Sequence, residues 1–203
     1  MESKLTRAAA ERLARKINRY TNKEGIELEK MVLGSEILLI NVSKIIIIYS
    51  LAALLGILTQ TFVTHAAFAL IKRYSFGLHA LNSTVCTLVS CAIFVGIPLL
   101  LYDVYINNYI VAAAFAAVII ILYQYAPADT KARPLIGVRL RAQLKRRAVV
   151  CGLILATMAL IIPNESIKLF LVLGAVYQSI SILPLTYKIL KRSERNYEIY
   201  ECS

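Results

Sequence analysis

Residues 45–71 read IIIIYSLAALLGILTQTFVTHAAFALI and contain no Asp, Glu, Lys or Arg. A helix crosses a bilayer core about 30 Å thick with about 20 apolar residues, so this stretch predicts a membrane span. Four further stretches, 81–101, 104–128, 148–164 and 169–187, are also free of charged residues. The sequence therefore predicts an all-α fold, a polytopic α-helical integral membrane protein.

The composition agrees with this class. The chain of 203 residues is 59% hydrophobic and 17% charged, with a mean hydropathy of +0.66. Its net charge of +11 comes from basic clusters that lie beside the apolar stretches. Short basic loops mark the cytoplasmic side of a membrane protein. The charge is explained in this way without nucleic acid as a partner.

The basic clusters also predict a topology in the cell membrane. If they all face the cytoplasm, an even number of crossings separates each cluster from the next. Two apolar stretches joined at 102–109 separate Arg73 from Lys131, and two joined at 163–166 separate Arg147 from Lys188. Both hairpins satisfy this rule. Between Lys30 and Lys72 the sequence offers one long span, 45–71, preceded by a short apolar segment, 31–43. We therefore expect about six membrane helices, the first one imperfect, with five as the alternative.

Three regions follow from these patterns. Residues 1–30 predict an amphipathic helix, which lies either on an anionic membrane surface or against the protein's own cytosolic face. Residues 31–190 form the predicted transmembrane domain, with a loop at 72–86 and a basic cytoplasmic loop at 129–147. Residues 191–203 are a predicted cytoplasmic tail.

The cysteines and histidines show no metal-binding pattern. Cys86, Cys91, Cys151 and Cys202 have no paired spacing and do not cluster with the two histidines. We therefore predict neither a metal site nor an organic cofactor. His65, in the middle of a span, is either a proton-handling group or a hydrogen-bonding partner of a neighbouring helix.

Cys86 stands out by its position. The sequence NSTVC opens an uncharged span directly after a basic loop, and Asn82 or Ser83 is a suitable N-cap. Cys86 would then lie in or just beyond the first helical turn. The positive end of the helix dipole there favours a thiolate.

His79 precedes Cys86 by seven residues, which rise about 10.5 Å along one straight helix. A general base must lie within roughly 2.6–3.2 Å of its nucleophile, or reach it through one water. The two residues can work together only if His79 folds back from a loop. Gly77 supplies the backbone freedom for such a bend. Chance proximity of the two residues is the alternative.

Two motifs resemble those of the accessory gene regulator protein B (AgrB) family. One is G-x-H-A-x5-C, formed by Gly77, His79, Ala80 and Cys86, and the other is YAPADTKARP at 125–134. The basic pair Lys72-Arg73, the polar N-terminal helix and the chain length are also similar. The resemblance covers nearly the whole chain.

The resemblance implies a membrane-embedded cysteine endopeptidase of bacterial quorum sensing. Cys86 would be the nucleophile and His79 the general base and acid. The implied substrate is a short AgrD-like precursor peptide with an acidic C-terminal tail, which is cleaved through a thioester and cyclised to a thiolactone or lactone. The site would lie near the cytoplasmic face.

Further residues are candidates for supporting roles. Glu36 could be a third, orienting residue, because it is the only acid in the apolar stretch 31–71 and a buried carboxylate is costly unless it is paired. Asp129, on the cytoplasmic side in YAPADT, is the alternative. The candidates for support or substrate binding are Gly77, Lys72, Arg73, Asn82 and Ser83.

Two rival functions remain at this point. One is a small membrane peptide transporter without proteolytic activity, and the other is a membrane adaptor whose basic loops bind lipid or a partner. Membrane lipids are expected to contact the chain in each case. Whether the protein is a monomer or a homodimer stays open.

Overall fold

The computed structural model describes the backbone of residues 4–78, 83–131 and 133–201. Within this part of the chain the helices are α1 (Lys4–Thr21), α2 (Ile26–Leu54), α3 (Leu58–Ser75), α4 (Ser83–Cys91), α5 (Ile97–Leu100), α6 (Asn108–Tyr125), α7 (Val138–Ile161), α8 (Glu165–Ile182), α9 (Pro184–Ile189) and α10 (Glu198–Glu201). A π-helical turn, Ala92–Gly96, joins α4 to α5. The described residues contain isolated β-bridges but no strand. The predicted all-α class is confirmed.

Three of the described helices, α2, α6 and α8, are long and apolar enough to cross a membrane. Residues 84–100 form a shorter apolar helix that runs through the π-helical turn. Helices α3 and α7 combine an apolar part with basic residues at one end, Lys72 and Arg73 in α3 and a cluster from Arg139 to Arg147 in α7. Apart from α1, the described residues form six long helical segments, and the expectation of about six membrane helices stays a prediction.

The single span predicted at 45–71 is wrong, because the chain breaks at Gly56. Gly56 has a φ of +71°, its N–H donates to Ala53 O (3.2 Å), and the N–H of Ile57 donates to Ala52 O (3.0 Å). These two bonds form a Schellman motif, which ends a helix at a left-handed glycine. Residues 31–43 therefore belong to the 29-residue helix α2, and two helices lie between Lys30 and Lys72.

The N-terminal helix α1 packs against α2. Ala10 and Ala14 of α1 are completely buried, while most of the remaining described side chains of this helix are exposed or half-buried. Small side chains let two helices approach closely. One face of the amphipathic helix is thus covered by the protein itself.

The centre of the molecule is the contact between α3 and α8. A Cβ added at Gly174 of α8 would collide with Thr64 O, and it would lie 2.7 Å from the Cβ of Ala67 and 2.9 Å from the amide nitrogen of Phe68. A glycine at this crossing lets the backbones of α3 and α8 touch. Helices α6 and α7 complete the main core around this pair.

A second cluster joins α2 and α3 to the π-helical turn. The Thr61 hydroxyl donates to Phe94 O (2.7 Å), which satisfies a carbonyl group of the irregular turn. A hydrogen bond of 3.1 Å joins the Tyr49 hydroxyl to Nδ1 of His65, and the His65 ring packs 4.8 Å from that of Phe94. His65 therefore bonds to a neighbouring helix, the second of its two predicted roles.

The two predicted hairpins begin their second helices with asparagine caps. The Asn107 side chain accepts a hydrogen bond from the Ile110 amide (3.0 Å), and the Asn164 side chain accepts one from the Ile167 amide (3.2 Å). Each cap satisfies one of the free amides at a helix start.

Candidate active site

Cys86 is the fourth residue of α4, which begins at Ser83. Its side chain is half-buried. The helix start agrees with the prediction that Cys86 lies in or just beyond the first turn, and the cap at Asn82 or Ser83 stays a prediction. His79, Asn82 and the side chain of Ser83 lie outside the described residues. The pairing of His79 with Cys86 therefore stays a prediction.

The segment 75–78, which leads into His79, is held by backbone hydrogen bonds to two other parts of the chain. Ala128 N–H donates to Ser75 O (2.9 Å), and Gly77 N–H donates to Ala128 O (2.9 Å). These bonds form a parallel bridge between Phe76 and Ala128. Leu78 N–H donates to Ser181 O at 3.4 Å. The two regions that carry the sequence motifs, around Gly77 and at 125–134, are thus joined directly.

The side chain of Gln178 in α8 also holds the segment 75–78 in place. Its amide nitrogen donates to Ser75 Oγ (2.7 Å) and to Phe76 O (2.6 Å), and the residue is completely buried. Sequence reasoning missed this role. The available signal was a glutamine within the apolar stretch 169–187, because a buried amide requires partners.

Both the backbone conformation and the close neighbours at position 77 require a glycine. Its φ is +102°, and an added Cβ would lie 2.9 Å from Ser181 Oγ and 3.0 Å from Cγ2 of Ile182. Gly77→Ala is therefore expected to destabilise the protein by about 1–3 kcal/mol. The measurement is the thermal midpoint in detergent.

The matched control is Gly56→Ala. Gly56 also has a positive φ, +71°, but an added Cβ there would meet nothing within 4 Å. This control shares the backbone strain and lacks the collision. Equal losses of stability in the two variants would contradict the close approach of α8 to Gly77.

The two basic residues before Gly77, Lys72 and Arg73, lie in different environments. Lys72 is half-buried, its ammonium group lies 3.4 Å from Leu78 O and 4.9 Å from the centre of the Phe68 ring, and it interacts electrostatically with Cys86. Arg73 is exposed, with its guanidinium group 5.9 Å from the Tyr74 ring. Of the two, Lys72 is the cation that interacts electrostatically with the candidate nucleophile.

Glu36 is deeply buried in α2, with 5% of its surface exposed. Its helix packs against α4, which carries Cys86. Burial of a carboxylate in a helix that is otherwise largely exposed is unusual, because desolvation of the charge is costly. The observation keeps Glu36 as a candidate for the third residue.

Asp129 is also buried, and its carboxylate accepts hydrogen bonds from the C-terminal tail. Oδ1 accepts hydrogen bonds from the Asn196 amide (3.0 Å) and the Asn196 side chain (3.3 Å), and Oδ2 accepts one from the Tyr197 amide (2.8 Å). The Tyr187 hydroxyl donates to Asp129 O (2.9 Å). These contacts favour an anchoring role for Asp129.

The tail makes a second contact at the start of α7. Glu201 accepts two hydrogen bonds from the Arg141 guanidinium group (2.6 and 2.8 Å) and one from the Gly137 amide (2.7 Å). The Arg141 guanidinium group also stacks 3.8 Å from the centre of the Tyr197 ring. No local pattern predicts this pair, because 60 residues separate its members.

This ion pair gives the tail a defined response to acid. Hydrogen bonds from Arg141 and then from Gly137 lower the pKa of Glu201 to about 2, from an ordinary value of 4.5. A lowered pKa in the folded state means that the carboxylate stabilises docking above pH 4.5 and that this contribution is lost as the pH falls towards 2.

The expected result is that the Tyr197 amide exchanges hydrogen more slowly in the wild type than in Glu201→Gln above pH 4.5. The difference between the two proteins should shrink as the pH falls towards 2. Comparing the proteins at each pH cancels the intrinsic pH dependence of exchange. Equal exchange rates at neutral pH would show that the carboxylate does not hold the tail.

The described residues contain no group of three or more His, Cys, Asp or Glu that could hold a metal ion. Among the described residues, the groups available near Cys86 include its thiol, the Lys72 ammonium group and backbone amides. These groups suit nucleophilic attack on a carbonyl carbon.

Comparison with known families identifies the chain. The family model for accessory gene regulator B matches residues 10–182. The chain belongs to the accessory gene regulator B family. This match includes the bridged segments around Gly77 and Ala128 and the whole of α4.

Curated relatives agree with this membership. An AgrB-like protein of Clostridium acetobutylicum is 42% identical over 200 residues, which cover 98% of this chain and 96% of the relative. An AgrB-like protein of Listeria innocua is 46% identical over 172 residues, covering 85% and 84% of the two chains. Accessory gene regulator protein B of Staphylococcus intermedius is 34% identical over 177 residues, covering 86% and 92%. No solved structure matches the chain.

Membership confirms the family recognised from the two sequence motifs. It also supports a role in the accessory gene regulator system. The apolar helices and the family together identify a membrane protein.

Proposed function

We propose that this protein is a membrane-embedded cysteine endopeptidase that matures a short AgrD-like precursor peptide in quorum sensing. The observation that carries the proposal is the position of Cys86. It lies in the first turn of α4, within electrostatic reach of Lys72, and follows a segment that backbone bonds hold in place up to Leu78. Family membership supplies the substrate class.

In the first step, Cys86 Sγ attacks the carbonyl carbon of the peptide bond that precedes the acidic tail. His79 accepts the thiol proton and then donates it to the leaving amine, so that the carbon–nitrogen bond breaks and a thioester forms. The ammonium group of Lys72 favours the negative charge on sulfur. Backbone amides in the first turn of α4 would hold the oxyanion.

In the second step, a Cys or Ser side chain of the precursor attacks the thioester carbon. Its proton passes to His79 or to the departing Cys86 thiolate, and a thiolactone or lactone ring is released. Exclusion of water from the site would favour this exchange over hydrolysis. The half-burial of Cys86 is consistent with such shielding.

The positions of the basic residues support a cytoplasmic site. Two helical segments now lie between each pair of consecutive basic clusters, since α2 and α3 separate Lys30 from Lys72. All basic clusters can then face the cytoplasm, as the positive-inside rule requires. Segment 72–86 would meet a precursor that has not been exported.

The test is co-expression with the precursor peptide, followed by mass spectrometry of the products. We expect a released acidic tail and a core peptide one water molecule lighter than its linear form. An intact precursor on the outer side of the membrane would instead favour the rival function of peptide transport. An intact precursor inside the cell would refute both functions.

A further inference from the structure

The contact between Arg141 and Glu201 has the geometry of a ligand site. Arg141 presents two nitrogens to the two carboxylate oxygens, and the Gly137 amide at the start of α7 adds a third donor. The Leu135 carbonyl accepts from Arg141 (2.9 Å), and the Tyr197 ring covers the guanidinium group. Bidentate pairing of this kind is the preferred way in which arginine binds a carboxylate.

The present occupant of this site lies at the surface of the protein. Glu201 belongs to the four-residue helix α10, in which no residue is buried. The side chain of Glu201 itself remains 27% exposed, compared with 17% for Arg141. The Glu201 carboxylate therefore lies at the surface, where another carboxylate could replace it.

The site opens into a cavity whose wall includes two residues that contact the candidate catalytic segment. This cavity has a volume of about 410 Å³, and Arg141, Ala128 and Ile182 contribute to its wall. Ala128 O accepts the Gly77 amide, and Ile182 is one of the residues that a Cβ at Gly77 would touch. An extended peptide bound at Arg141 could therefore continue towards residues 75–78.

We propose that Gly137 and Arg141 form a carboxylate-binding site for an acidic peptide, and that Glu201 occupies this site from within the chain. The peptide and the tail then bind in competition. The identity of the peptide as the precursor's acidic tail rests on the proposed function. Carboxylate binding at Arg141 does not depend on it.

The test measures peptide binding by fluorescence anisotropy with the full-length protein in detergent. All proteins carry Cys86→Ala, which removes the chemistry and separates this test from that of the proposed function. The probes are labelled peptides amidated at the C-terminus: EIYE, which copies residues 198–201, and EIYQ, which lacks only the side-chain carboxylate of the last residue. Glu201→Arg empties the site, because an arginine there repels Arg141.

We expect Glu201→Arg to bind EIYE at least about tenfold more tightly than EIYQ. The double variant Glu201→Arg with Arg141→Gln should lose this preference. The matched control is Glu198→Arg, which makes the same change in charge at an exposed residue and leaves Glu201 in its place. It should show no preference between the probes.

Equal binding of the two probes to Glu201→Arg would overturn the proposal, as would a preference that survives Arg141→Gln. A preference in the Glu198→Arg control equal to that in Glu201→Arg would show that the tail does not compete for the site. If the site is found and the precursor is never cleaved, the proposed function fails while the carboxylate site stands.

Discussion

Cys86→Ala is expected to abolish formation of the cyclic peptide, leaving an uncleaved precursor in the membrane fraction. Without the sulfur no thioester can form, and the precursor's own nucleophile has no activated carbonyl to attack. His79→Ala is expected to lower the rate by about 10²–10⁴-fold, the usual contribution of a general acid–base group. Both rates are measured by mass spectrometry of co-expressed precursor.

Cys91→Ala is the matched control for the nucleophile. Cys91 ends the same helix, α4, and is half-buried like Cys86. Its replacement by alanine should leave processing near the wild-type rate. Formation of cyclic peptide by Cys86→Ala at a rate comparable to the wild type would exclude Cys86 as the nucleophile. Loss of processing in Cys91→Ala alone would indicate Cys91 as the nucleophile instead.

Gly174→Ala should cause the largest loss of stability among single methyl additions. The new Cβ would collide with Thr64 O and crowd Ala67 and Phe68 on the facing helix. Backbone atoms cannot rotate out of the way, so α3 and α8 must separate. Overpacking of this kind costs about 1–3 kcal/mol or more. The measurement is the thermal midpoint of the monodisperse protein in detergent.

Gly34→Ala provides the comparison for that measurement. Gly34 lies within α2, and an added Cβ there would meet no atom within 4 Å. Alanine is favoured over glycine in a helix by about 1 kcal/mol, so this variant should be as stable as the wild type or slightly more stable. A Gly174→Ala protein that melts together with Gly34→Ala would contradict the contact between α3 and α8.

Much of the fold follows from the charge-free stretches, because membrane solvation imposes length and composition on each crossing. The break between α2 and α3 does not follow from hydropathy. Gly56 is an apolar residue in an apolar run, and only its left-handed conformation ends the helix. The excess length of the run was the available sign, since 27 residues exceed the roughly 20 that one span needs.

In the candidate site too, features set by neighbouring residues could be predicted, and contacts between residues far apart in the sequence could not. The start of α4 and the position of Cys86 were predictable, because capping and helix spacing are properties of neighbouring residues. The bonds of Gln178 to Ser75 and of Glu201 to Arg141 join residues 103 and 60 positions apart. Such pairs depend on how the helices pack, and a single sequence contains no spacing that reveals them.

The bridge between Phe76 and Ala128 has a consequence for how this protein can change. Its hydrogen bonds join main-chain atoms alone, and they are indifferent to the side chains that residues 75, 76 and 128 carry. Mutations at residues 76 and 128 can therefore leave these bonds in place, provided that position 77 remains glycine and Ser75 keeps its bond to Gln178. New substrate preferences could arise through such drift, because side chains around the cavity can vary while the main-chain scaffold stays in place.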